Sequence, residues 1–210
     1  MRLAGSASWR IASDAKHDLH FALFVREAAA LGEVPAGTWA APPVLDRRLD
    51  ARPLADIATE QERTRAREQW PSWWDRLVNA PAPDLEAMRA LVRRGSVDPY
   101  VSRLFDPLGA APELRAVVER CRPHGLTWEQ GQRRLMHALM RELSHPYFHE
   151  IGTEAERRRQ AGGKPPLDAR ADLVLAEGAG AIIPAPDHAI VWGDALADPA
   201  TRARLVDALS

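Results

Sequence analysis

The sequence predicts an α+β fold, mainly helical, with a small C-terminal antiparallel sheet and a terminal helix. Three observations carry this. Helix-periodic apolar stripes, bounded by caps and by glycine or proline stops, recur over residues 1–160. Three short apolar runs separated by turn residues follow between 172 and 192. Asp198-Pro199 then opens one more helix. The expected organisation is a mainly helical region over 1–160, then over 161–210 a mobile loop, the strand-rich segment and the last helix, all packed into one domain. No internal repeat is visible.

Taken in order, Ser13 or Asp14 caps a first helix that reaches Leu31 and is stopped by Gly32 and Pro35. Its centre, Leu19 to Val25, is apolar nearly all round except at His20, which places it in the interior; a short buried strand over 20–25 is the competing reading. Pro35, Gly37, Pro42, Pro43 and Pro53 punctuate an extended connection that wraps the core through Val34, Trp39, Val44 and Leu45. Ala55 to about Gln69 is helix-forming with interspersed charge. Pro71 fits best as the start of a new helix, because a proline inside one removes a hydrogen bond and crowds the preceding turn. Trp70, Trp73, Trp74 and Leu77 stand at i, i+3, i+4 and i+7, which is one helical face.

A loop at Asn79–Pro83 leads to a helix from Asp84 to Arg94 with Gly95 as its stop, and Pro112 begins another that runs to about Arg122. Thr127-Trp-Glu-Gln130 is a capping box for a further helix to about Ser144, with Leu135, Met136, Leu139 and Leu143 as its inner stripe. Pro146 ends that element. Thr153-Glu-Ala-Glu156 caps a short exposed helix with no apolar stripe after it, broken by Gly162, Gly163, Pro165 and Pro166. Strands follow at 172–175, 180–183 and 188–192, and Leu205, Val206 and Leu209 form the inner face of the final helix.

Composition narrows the function classes. A formal net charge of -1 and a pI near 6.7 lack the basic excess of a general nucleic-acid binder, so nucleic acid is the weaker partner class. The single cysteine, Cys121, has no intrachain disulfide partner, which points to a reducing, cytoplasmic setting. The opening residues have no apolar core of signal-peptide length, and no run reaches the roughly 20 apolar residues of a membrane helix. Lys16 and Lys164 are the only lysines in a chain rich in arginine, alanine and proline, as expected from a high-GC bacterial genome.

Two constellations carry chemistry. The first gathers Glu142, His145 and His149, a carboxylate with two imidazoles that suits Zn or non-haem Fe; Glu-x-x-His is also half of a di-iron bundle motif. His17 and His20, three apart, are further ligand candidates. Histidines near helix ends more commonly bond loose carbonyls or face water. Cys121 beside His124 or His137 has no nucleophile signature, and a small buried apolar cysteine is the stronger reading. The second constellation sets Trp70, Trp73 and Trp74 beside Arg63, Arg67 and Arg76, residue types enriched at binding hot spots. Its competitor is simple core packing of a helix-spaced aromatic stripe. The function expected is that of a cytosolic bacterial binding or accessory protein with a protein partner, an aromatic and arginine-bearing surface and no cofactor. That reading requires at least one of the three tryptophans to be solvent-accessible. The alternative is a metal-dependent enzyme, a hydrolase or non-haem iron oxygenase, in which Zn or Fe at Glu142, His145 and His149 activates water or oxygen.

Overall fold

In the computed structural model of this chain, residues 8–11, 17–35, 43–80, 104–144, 147–165, 168–186 and 188–210 are described. The expected cap at Ser13 or Asp14, Trp39, the helix from Asp84 to Arg94, and His145-Pro146 lie outside them. Two compact units emerge, one of Met1–Lys16 with Arg133–Ser210 and the other of His17–Gln132. The boundary between these units falls within the helix Pro112–Ser144. The architecture is α+β and mainly helical, and it ends in a helix.

The unit His17–Gln132 is built on helices α1 (His17–Ala28) and α2 (Glu60–Asn79) and the first part of α3 (Pro112–Ser144). Leu19, Ala22, Leu23 and Val25 are fully buried, as the all-round apolar pattern requires, and the strand alternative falls away. The chain leaves α1 through positive φ at Ala30 and at Gly32, where glycine carries no steric penalty. Beyond it, Val34 and Leu45 are buried as expected while Val44 is exposed.

Helix α2 starts at a reciprocal capping box: the Thr59 backbone N–H donates to Glu62 Oε2 at 2.7 Å and the Glu62 N–H to Thr59 Oγ1 at 3.3 Å. It then runs unbroken through Pro71, so the expected new start there is corrected. The physical reason is the face that Pro71 shares. Trp70, Pro71, Trp73, Trp74, Leu77 and Val78 are all buried. Each tryptophan ring removes roughly 200 Å² from water, roughly 5 kcal/mol gross at 25 cal per Å², against about 3 kcal/mol for an interior proline.

Helix α3 is likewise one element where two were expected, continuing through Pro123 and Gly125. Thr127 is therefore not a cap; its hydroxyl donates to the Pro123 carbonyl at 3.2 Å, one turn back. Gly125 serves close packing instead of termination. A Cβ there would stand 2.4 Å from Phe21 Cε2 and 3.3 Å from Phe24 Cδ1, and next to it Phe24 stacks on Trp128 with centroids 4.9 Å apart.

The other unit holds a four-stranded sheet of β1 (Ser8–Ile11), β2 (Asp168–Val174), β3 (Ala179–Ala185) and β4 (His188–Gly193), in the order β1-β2-β4-β3. The sheet is mixed, not antiparallel throughout: β1 and β4 flank β2 in parallel, and only β3 and β4 pair antiparallel. The β3–β4 hairpin turns back so that β4, not β3, lies against β2. Gly193 makes this possible, since at φ +56° any Cβ would come within 1.5 Å of the Gly178 carbonyl oxygen. Gly180 likewise faces the Trp192 ring across the hairpin, with no room for a side chain.

Helix α4 (Tyr147–Ala161) is longer than expected and begins before Thr153, with Phe148, Ile151, Gly152 and Ala155 as a buried stripe. It packs on α5 (Pro199–Leu209), capped as expected by Asp198, whose carboxylate accepts from the Ala200 and Thr201 N–H groups. Arg158 pairs with Asp207, and Arg159 Nη1 donates to the Leu209 carbonyl at 3.1 Å.

Candidate functional site

The three tryptophans of α2 are interior, while Arg63 and Arg67 are half-buried and Arg76 is exposed. Trp70 is 0% exposed, Trp73 1% and Trp74 1%. The requirement that one be accessible is not met, and the expected tryptophan patch is corrected to a core stripe. Trp70 stacks on Trp74 at 5.3 Å and meets Trp73 edge-on at 6.4 Å, both favoured aromatic geometries. Trp73 Nε1 donates to the Leu104 carbonyl at 3.0 Å, whereas the buried Nε1 atoms of Trp70 and Trp74 have no acceptor among the described residues. The arginines brace the same helix: Arg67 donates to the Leu31 carbonyl, Arg76 to the Pro107 carbonyl at 2.7 Å, and Arg63 lies 3.5 Å from Glu60.

The metal candidates are divided between the two units. His20 is buried, at 2% exposure, in the unit His17–Gln132, while Glu142 and His149 are exposed residues of the other unit. The side chain of His17 and the whole of His145 lie outside the described residues. Among the described residues no three His, Cys, Asp or Glu side chains come together as a metal-holding group. Cys121 is fully buried, and desolvation pushes its thiol up to about 12, with Arg120 pulling weakly the other way. It stays protonated near neutral pH and packs as an apolar residue, while His124 and His137 are exposed.

A cluster that the sequence did not disclose stands on the sheet. Asp172, 0% exposed, accepts from Arg170 Nε at 2.7 Å and Nη2 at 2.6 Å, and lies 2.8 Å from His188 Nε2. Arg170 and Asp172 share a face of β2, and the parallel register sets His188 of β4 beside Arg170. Each strand was legible as an apolar run. Only the crossing order of the strands joins residues 16 positions apart. The carboxylate's two oxygens are used by its own neighbours, so the cluster reads as a stitch between β2 and β4.

An arginine-bearing surface does exist, on the part of α3 that belongs to the sheet-containing unit. Arg133, Arg134, Leu135, His137 and Ala138 are exposed there, with Leu135 at 37%. Met136, Leu139 and Met140 make the buried side, so Leu135 falls outside the inner stripe expected for it. Successive helix residues are about 100° apart, which turns Leu135 away from Met136. Arg133 and Arg134 form no ion pair or hydrogen bond among the described residues, although Arg157 and Arg158 of the same unit converge on Glu154 at 2.7 and 3.0 Å. Among the described residues no helix is long and apolar enough to cross a membrane. Set against protein-family models, curated proteins and solved structures, the chain matches none.

Proposed function

We propose that this chain is a binding or accessory protein that engages a protein partner through the exposed face of α3 from Arg133 to Ala138. The supporting observation is the pair of exposed guanidinium groups at Arg133 and Arg134, without a partner among the described residues, with the exposed apolar Leu135 about 100° further round the helix from Arg134. Arginine is among the residues enriched at interface hot spots, whereas leucine is not, so the guanidinium pair carries the reading and Leu135 adds apolar area. The apolar part gives up hydrated surface on contact, and the guanidinium forks supply directional bonds. This moves the expected surface from α2, whose tryptophans fill the interior, to a different helix.

A photo-crosslinking residue placed at Leu135 should form discrete protein adducts in the cells that make this chain, and the same residue at the exposed Ala203 of α5 should not. No adduct at position 135, or an identical pattern at both positions, rejects the reading.

A further inference from the structure

We infer that the partner offers carboxylates to this face, an acidic protein segment seated on Arg133 and Arg134. The inference rests on the binding reading above and adds its chemistry. Two consecutive arginines on a helix diverge by about 100°, so their forks spread across the width of the exposed face and reach two separate acceptors. Both are exposed and have no partner among the described residues. Other arginines of the unit are engaged, Arg157 and Arg158 with Glu154 and Arg170 with Asp172; Arg204 is exposed and unpartnered among the described residues as well, so the consecutive pair is what sets this face apart. Binding an outside carboxylate at Arg133 or Arg134 thus breaks no existing ion pair, and each fork can take it through two parallel N–H bonds. Leu135 lies about 100° beyond Arg134 and about 200° from Arg133, so its apolar contact serves a segment that reaches round from Arg134.

Charge also separates an acidic protein from nucleic acid. The whole chain has a formal net charge of -1, so no long-range positive field gathers a polyanion. Two guanidinium groups would displace only about two counterions from a duplex, too few for strong binding at physiological salt. A short acidic segment needs no more than those two contacts and the apolar neighbour.

The test measures fluorescence anisotropy of a labelled oligo-glutamate peptide at low salt, with a labelled short DNA duplex in parallel. The expected result is binding of the peptide that weakens as salt rises and falls about tenfold in R133E/R134E, because two attractions become two repulsions. R133K/R134K keeps the charge without the fork and should lose less. Arg122→Glu removes another exposed arginine of α3 and should leave the affinity unchanged. Equal peptide affinity in wild type and R133E/R134E overturns the inference. So does an equal loss in Arg122→Glu, which would show a diffuse charge effect, and so does a duplex that binds more tightly than the peptide. The positions are exposed, so unfolding does not mask the result, and circular dichroism verifies the fold. Adducts at position 135 without oligo-glutamate binding would reject the carboxylate chemistry alone, whereas absence of both would reject the binding reading too.

Discussion

At the scale of single residues, the three α2 tryptophans respond differently to the same change because their N–H groups differ. Trp73→Ala should destabilise by about 3 to 5 kcal/mol through lost burial and the cavity left behind. Trp73→Phe should also cost stability, since it leaves the Leu104 carbonyl without the indole donor at 3.0 Å. Trp74→Phe should cost less, because it removes a buried N–H that has no acceptor among the described residues. Urea unfolding of the two phenylalanine variants decides this; equal losses would mean the orphaned donor carries no penalty. Asp172 gives a second residue-scale expectation. Asp172→Ala leaves Arg170 and His188, each 15% exposed, without the carboxylate between them, and should cost about 3 to 5 kcal/mol. A loss below about 1 kcal/mol by the same measurement would show that water replaces it readily.

At the scale of elements, prolines and glycines separate what a segment prefers from what its surroundings impose. Pro71 and Gly125 are both stop signals by local rule, and both lie inside continuous helices. At Gly125 the reason is contact: the missing side chain is the space in which Phe21 and Phe24 pack. Gly125→Ala improves helix propensity by about 1 kcal/mol yet pushes into those rings, and should be destabilising by about 1 to 3 kcal/mol net. Exposed Gly131 of the same helix has nothing within 4 Å of a Cβ, so Gly131→Ala should stabilise by up to about 1 kcal/mol. Thermal unfolding of the pair should give shifts of opposite sign, and shifts of one sign would refute the packing account. Such contrasts were invisible in sequence, where the two glycines look alike. The caps at Thr59 and Asp198 differ in kind, because they bond within three residues of themselves. Asp198 was legible in advance for that reason, whereas Thr59 fell inside a segment already read as helix.

For the whole molecule, acid sensitivity follows from carboxylates held by bonds in the native state. The Thr59 backbone N–H, Arg120 and the Thr59 hydroxyl lower Glu62 from 4.5 to about 2, and Arg157 with Arg158 does the same for Glu154. Both are depressed, so their stabilisation is complete above the unfolded value of 4.5 and is lost as pH falls towards 2. The melting-temperature gap between wild type and Glu62→Gln should therefore shrink across that window. A gap that stays constant with pH would assign the difference to something other than ionisation. Metal content separates the two functional readings. Under the binding reading, protein purified without a histidine tag should have the same metal content with and without His149→Ala. Near-stoichiometric Zn or Fe that falls in the variant would establish the metal-dependent alternative instead.

The sequence by itself determined the α+β class, the interior position of α1, the stretches that became the three C-terminal strands and the capped final helix. These depend on contacts between near neighbours and on apolar periodicity, both written in consecutive residues. It also placed Trp70, Trp73, Trp74 and Leu77 on one face, because spacing alone settles that. Tertiary structure decided which way that face points. A stripe of aromatics is equally regular in a core and on an interface, and only the burial of all three rings distinguishes them. It decided that β4 lies between β2 and β3, and so brought Asp172 to His188, because strand order is a relation between distant segments. It decided, too, that Arg133 and Arg134 have no partner among the described residues while Arg158 meets Asp207. The Glu154 pairs, three and four residues apart on one helix, are a local pattern, but the pair of Arg158 with Asp207 depends on which helix faces which, and consecutive residues do not record that.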